Sequence, residues 1–250
     1  EGYIVVSFGW VIMSLSGTLP YVLTESIPSF TNAFFETMSG YTTTGASILN
    51  DIEAVPKGIL FWRSLTHWIG GMGIIVLAIA ILPLLGIGGM QLFAAEAPGP
   101  SADKLHPRIT DTAKRLWLIY FGYTAAETLL LSVAGMSFFD AINHALSTLS
   151  TGGFSTKNDS VAHWNDNPAI QYIIIFFMFL AGTNFVLSYF MFKGKVSKII
   201  QDEEFKLYFK FIAVFTIIAA LLIYFRADVS QSSIVHPMVL GEGESAIRHG

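Results

Sequence analysis

The chain contains no cysteine, which excludes disulfides and thiolate metal sites but does not identify a compartment. It is also short of charge. Only 13% of residues are Asp, Glu, Lys or Arg, against about a quarter in ordinary soluble domains. The net charge of −4 supplies no concentrated basic face, so no nucleic-acid partner is expected. There is no basic stretch ahead of an apolar run at the start, and Glu1 stands where an initiator methionine would, so the chain is expected to begin inside a longer protein. What it has in abundance is apolar surface: 53% of residues are hydrophobic, the balance of an integral membrane protein.

Five apolar runs approach the roughly 20 residues needed to cross a hydrocarbon core. They cover residues 3–23, 58–90, 115–136, 168–192 and 207–225. The second is too long for one straight crossing, and Pro83 with Gly86, Gly88 and Gly89 predicts a kink or a protruding end. Lys104, Arg108, Lys114, Arg115, Lys193, Lys195, Lys198, Lys206 and Lys210 gather in two connections, residues 91–114 and 193–210, which the positive-inside bias makes cytoplasmic. With five spans, the chain then starts inside and ends outside.

Two outward connections are too apolar to be simple loops. Residues 29–41, SFTNAFFETMSGY, put Phe30, Ala33, Phe34, Thr37 and Met38 on one helical face. Residues 137–149, SFFDAINHALSTL, do the same with Phe138, Ala141, Ile142, Ala145 and Leu146. Each is too short to span. Each is expected to enter the membrane as a half-helix and return as non-helical backbone, which is tolerated only if it is buried in protein or lines water.

These two segments are copies. Laying residues 29–47 over 137–155, an offset of 108, gives seven identities in nineteen positions, through the Thr/Gly stretch as well as the helix. The unit is span, half-helix, return loop, span. A third copy is expected to begin near the end, where AIRH (246–249) echoes AINH (141–144). The expected organisation is a first pore repeat over 1–92, a linker over 93–112, a second repeat over 113–193, a linker over 194–206 and the start of a third repeat over 207–250. A half-helix aims its partially negative C-terminal end at the membrane interior, where it stabilises a cation. TTTG and STGG just beyond can offer backbone carbonyls in place of an ion's hydration shell.

The segments SGYTTTGAS, RSLTHWIGGMGI, INHALSTLSTGGFST and FLAGTNFVLSY resemble the membrane subunit of the Trk/Ktr/HKT potassium transporters, closest to the bacterial Trk type. The resemblance runs through essentially the whole chain, which covers about half of a family member. It implies an all-α integral membrane fold in which four such units form one pseudo-fourfold cation pore. It implies a potassium filter with Thr42, Thr43, Thr44 and Gly45 as the first strand and Ser150, Thr151, Gly152 and Gly153 as the second. In the family a glycine at the positions of Gly45 and Gly153 favours potassium, while a serine in the first unit marks sodium-conducting plant relatives. The second strand reads STGG where the first reads TTTG, so an asymmetric ring is expected. The resemblance further implies potassium uptake across the bacterial inner membrane, with K+ as the transported ion and no other cofactor. Its partners would be the remaining pore repeats, a second copy in a homodimer and a cytoplasmic nucleotide-binding regulatory subunit.

Charges inside the membrane default to functional hypotheses. Arg63 in the second span and Glu127 in the third are expected to pair behind the filter, bracing it without touching the ion, the alternative being that each snorkels or meets a different partner. His67 and His144 have no companions at ligand spacing and are expected to be hydrogen-bonded packing residues. Gly70, Gly71 and Gly73 are expected to let a helix approach the first strand. Asn184 either faces the pore below the filter or caps a neighbouring helix. Two alternatives stay open: proton- or sodium-coupled symport in the same fold, and an intramembrane hydrolase. Against the hydrolase, no Ser/His or Asp/Asp pair is recognisable as a nucleophile and its base.

Overall fold

A computed structural model describes residues 2–73 and 109–230. The described residues are helical, with no strand among them. The chain divides into two compact units, Glu1–Val196 and Ser197–Gly250.

In the first unit, α1 (Gly2–Gly17) and α2 (Leu19–Leu23) make the opening span, with a break at Thr18 just before Pro20. The span was expected to be continuous over 3–23. Thr18 turns its hydroxyl back to the Ser14 carbonyl at 2.7 Å, which keeps this buried break satisfied. The first half-helix is α3 (Phe30–Tyr41), and after a loop the chain re-enters in α4 (Lys57–Trp68). α4 passes into a π-helical turn, Ile69–Gly73. The expected kink near Pro83 and most of the 91–114 connection lie outside the described residues.

The second copy follows the same order: α5 (Ile109–Val133), the half-helix α6 (Phe138–Leu149), a 3₁₀ turn (Ser160–Trp164) and α7 (Pro168–Ala181). α8 (Phe185–Phe192) continues from α7 after Gly182, Thr183 and Asn184. The run 168–192 is therefore two helices, where one span was expected. Both re-entering helices lose regular α-helical bonding shortly after the level of the half-helix ends, α4 in the π-turn and α7 at Gly182.

α3 and α6 each have 12 residues and rise about 18 Å, too little to cross a bilayer. Their boundaries match the half-helices read from the sequence. Each starts at a repeated serine, whose carbonyl accepts the first helical bond: Ala33 N to Ser29 O at 2.9 Å and Ala141 N to Ser137 O at 2.8 Å. Ala33 and Ala141 are both wholly buried, each against apolar neighbours that include Tyr21, Ile27 and Ile59 in one copy and Leu131, Met136 and Ile170 in the other. A second-copy cluster of Tyr120, Tyr123, Leu149, Phe177 and Ala181 joins α5, α6 and α7. In lipid such contacts gain little from water release, so close packing and satisfied polar groups hold the helices together.

Chain connection continues through α9 (Val196–Gln201) to α10 (Glu203–Ser230). The stretches Lys114–Val133 of α5 and Glu203–Tyr224 of α10 are long and apolar enough to cross a membrane by length and composition. α10 contains the whole of the fifth run, 207–225.

Candidate functional site

The end of each half-helix is closed in the same way. At α3, Thr43 N donates to Gly40 O and Thr44 N to Ser39 O, both at 3.0 Å. At α6, Thr151 N donates to Thr148 O and Gly152 N to Ser147 O, both at 2.9 Å. These are the paired bonds of a Schellman cap, which requires a left-handed residue at the turn, ordinarily glycine. Here threonine fills it twice, Thr43 at φ +52° and Thr151 at φ +57°. A β-branched residue rarely takes this conformation, yet the same outlier recurs at matched positions of the two copies.

Two residues on, Gly45 (φ +76°) and Gly153 (φ +91°) are left-handed again. The sign of φ alternates through 43–45 and through 151–153. Such alternation keeps successive peptide planes from flipping sides as they do in a strand, so consecutive carbonyls can face one direction. Gly45 also packs directly on the carbonyl oxygen of Gly152, leaving no room for a Cβ. The two Thr/Gly loops are therefore neighbours in contact.

The hydroxyls of the first loop hold the turn. Thr42 Oγ1 donates to Met38 O at 2.7 Å and lies 2.8 Å from Thr44 Oγ1. Ser39 Oγ closes the loop from below on Ala46 O at 2.6 Å. In the second loop Ser150 is buried and bonds back to Leu146 O at 2.9 Å, while Thr151 and Gly153 are exposed.

Behind each loop lies a brace. Glu36 accepts from Ser47 Oγ and Ile48 N, both at 2.9 Å. Arg63 Nε donates to Glu36 Oε1 at 2.6 Å, and both side chains are buried. Arg63 also reaches the second loop, donating to Ser155 O at 3.1 Å and lying over the Phe154 ring at 3.6 Å. On the second half-helix His144 Nε2 meets Ser155 Oγ at 3.0 Å and Nδ1 meets Asp140 O at 2.8 Å.

His67, one turn beyond Arg63, stacks on Phe154 with ring centres 3.8 Å apart and bonds Ser147 Oγ through Nδ1 at 3.1 Å. Gly152 lies against the same imidazole with no space for a side chain. Gly70 is pressed on the Tyr41 carbonyl, immediately before the first loop, and a Cβ on Gly71 would come within 2.8 Å of Ser150 Cβ. Gly70 and Gly71 of WIGGMG thus admit close approach to both loops.

The expected pairing of Arg63 with Glu127 is not found. Arg63 is committed to Glu36 and the second loop, because α3 places Glu36 on the same buried face as Ala33 and Thr37. Glu127 is wholly buried on α5 with neither carboxylate oxygen in a hydrogen bond of good geometry among the described residues, although the Thr148 hydroxyl faces it. Asn184 is exposed at the break between α7 and α8, its carbonyl accepting from Leu187 N at 2.8 Å. From the sequence no Ser/His pair is recognisable as a nucleophile and its base; the fold brings two serines to histidines, Ser155 to His144 and Ser147 to His67. All four residues are buried, and Ser155 Oγ also accepts from Lys157 N at 3.0 Å, so both serines are tied into the packing behind the loops. Glu36 and Phe154 were missed. Glu36 was visible as the sole acid within the first half-helix, the signal that drew attention to Arg63 and Glu127.

At the outer side, Asn158 ties the copies together by accepting from Ile52 N at 2.7 Å and donating to Asp51 at 3.0 Å. Asp140 anchors the return of the second loop: it accepts from Ser137 Oγ and from Thr156 Oγ1, each at 2.6 Å. Partial burial works against its ionised form, but these hydroxyls, with Lys157 and His144 nearby, outweigh it and hold the carboxyl below its ordinary range.

The sequence model described as TrkH, cation transport protein, matches residues 1–226. The Trk system potassium uptake protein TrkH of Salmonella typhimurium is 46% identical over 229 residues, covering 90% of this chain and 47% of that protein. That of Halomonas elongata is 41% identical over 231 residues, covering 91% and 48%. The crystal structure of the potassium transporter TrkH from Vibrio parahaemolyticus matches with a TM-score of 0.76 and 37% identity, covering 91% of this chain and 46% of that one. The chain spans about half the length of the curated relatives it matches. Helices throughout the described residues, apolar spans and a close structural counterpart together give an all-α integral membrane fold, and the chain belongs to the TrkH cation transport protein family.

Proposed function

We propose that this chain forms two of the four walls of a potassium-selective pore that takes up K+ across the bacterial inner membrane. The observation that carries the reading is the repeated Thr/Gly loop: left-handed at Thr43 and Gly45, left-handed again at Thr151 and Gly153, and closed against itself at Gly45 and Gly152. Residues 42–45 and 150–153 are the filter strands. Their carbonyls replace the hydration shell of K+, and the C-terminal ends of α3 and α6 add partial negative charge where the bare ion sits. The potassium uptake named for the Salmonella and Halomonas relatives supports the same ion.

Arg63 supports the filter from behind, and Glu127 lies behind the second strand facing Thr148. Asn184 lines the pore below the filter, at the point where α7 gives way to α8. Residues 1–92 and 113–193 are the two repeats and 207–250 the start of a third, joined by cytoplasmic linkers. The complete ring requires the remaining pore repeats. A homodimer and a cytoplasmic nucleotide-binding subunit are the assembly that the family resemblance supports. The ion then moves down its electrochemical gradient, with no catalytic step. Both Ser/His pairs being buried favours this reading over hydrolysis.

Flux through the full-length protein in vesicles tests the filter. Gly45→Ser places a side chain at a left-handed position against the Gly152 carbonyl. The expected result is a lower K+ over Na+ ratio; an unchanged ratio sinks the assignment.

A further inference from the structure

We propose that the buried Glu36–Arg63 pair is a strut between the two Thr/Gly strands and sets ion discrimination by fixing their separation. The inference rests on the pore reading above. It concerns what holds one strand against the other.

The pair joins matching points. Glu36 takes three donors on its two oxygens: Ser47 Oγ and Arg63 Nε on Oε1, Ile48 N on Oε2. It thereby grips the first strand two and three residues after Gly45. Arg63 uses another nitrogen for Ser155 O and its flat face for Phe154, gripping the second strand one and two residues after Gly153. Ser47 and Ser155 are the same position of the two copies, 108 residues apart. A polar chain therefore runs Ser47, Glu36, Arg63, Ser155, His144, passing from one half-helix to the other behind both strands.

Stability is a weak account of such a pair, because desolvating both charges offsets most of their attraction. Geometry is a better one. A guanidinium is a planar fork with fixed donor directions, so contacts on three sides fix its position and the distance between the groups it holds. The strands also meet where Gly45 packs on the Gly152 carbonyl. Contact there and strut beyond make two fixed points, which is what keeps two short segments from pivoting. Selection between ions by carbonyls depends on the cavity they leave or on the field they exert, and both change when strands move apart. Lysine in place of Arg63 keeps the charge facing Glu36 but lacks the fork, so it cannot reach Ser155 as well.

The test is K+ and Na+ flux through the full-length protein in vesicles, comparing the parent with Arg63→Lys, Glu36→Gln, Phe154→Leu and Gly45→Ser, each first checked for a cooperative thermal transition. The expected result is that Arg63→Lys retains K+ flux within a few-fold while the K+ over Na+ ratio falls roughly tenfold, the scale of one lost charge-assisted hydrogen bond. Phe154→Leu, which leaves the ion pair intact, shifts the ratio in the same direction by less and decides the matter if Arg63→Lys does not fold. A folded variant whose K+ and Na+ fluxes fall together with an unchanged ratio overturns the strut. A parent that passes no K+ overturns the pore reading instead. A selective parent relaxed by Gly45→Ser but not by Arg63→Lys or Phe154→Leu overturns the strut alone.

Discussion

Glu36 and His144 occupy the same place in two copies of one unit, and each holds the serine eleven residues further along, Ser47 at 2.9 Å and Ser155 at 3.0 Å. The acid needs a cation and receives Arg63, whereas the imidazole needs none and fixes itself on the Asp140 carbonyl. One architectural task is thus met by two chemistries, which is why the copies look less alike in sequence than in structure.

The imidazole of His67 fills the space beside Gly152, so a methyl group there must displace a ring stacked on Phe154. Gly152→Ala is expected to destabilise the protein by about 1–3 kcal/mol, the range for overpacking. Adding His67→Ala should recover part of that loss, making the pair less than additive. Thermal unfolding of the single and double variants in detergent measures this; strict additivity would mean that the two residues do not compete for one volume.

Thr151 and Gly153 are both left-handed, yet they should respond oppositely to substitution. A left-handed L-residue is strained by roughly 1–2 kcal/mol, and glycine in its place forfeits about 0.5–1 kcal/mol of chain entropy. Thr151→Gly is therefore expected to leave stability unchanged or raise it by up to about 1.5 kcal/mol. Gly153→Ala, which meets open space, should lose about 1 kcal/mol from conformation alone. The same melts read both, and a large loss in Thr151→Gly would assign its hydroxyl a structural bond.

Asp140 makes the second half-helix sensitive to acid. Its folded-state pKa is depressed, so its contribution is complete above the unfolded value near about 3.9 and drains away as pH falls through the folded one. Asp140→Asn should therefore melt below the parent at neutral pH, and the gap should begin to narrow below about pH 4 and close only once the pH is below the depressed folded pKa. A gap that persists or widens in acid would show that the carboxyl acts as a neutral hydrogen-bonding group.

The half-helices and their Thr/Gly ends were legible because they follow from run length and a fixed offset, neither of which needs contacts. Contacts were the harder part. Arg63 was matched with Glu127 since both lie in spans, but partner choice depends on which faces of α3, α4 and α5 meet, and Glu36 sits one turn from Ala33 on the face that α4 covers. The break after α7 carried its own signal in Gly182, Thr183 and Asn184, turn formers set in an apolar run. Thr43 and Thr151 could not be read as left-handed, because propensity argues against it and the surrounding cap overrides propensity.

The 108-residue repeat also has a genetic consequence. In a ring assembled from identical subunits one codon sets every wall, and any change is imposed on all sides at once. Here positions 45 and 153 are written separately, so one side can be retuned while its neighbour stays as it was. The difference between Glu36 and His144, at matched positions of the two copies, is an instance of such separate tuning: the two copies do the same task with unlike residues.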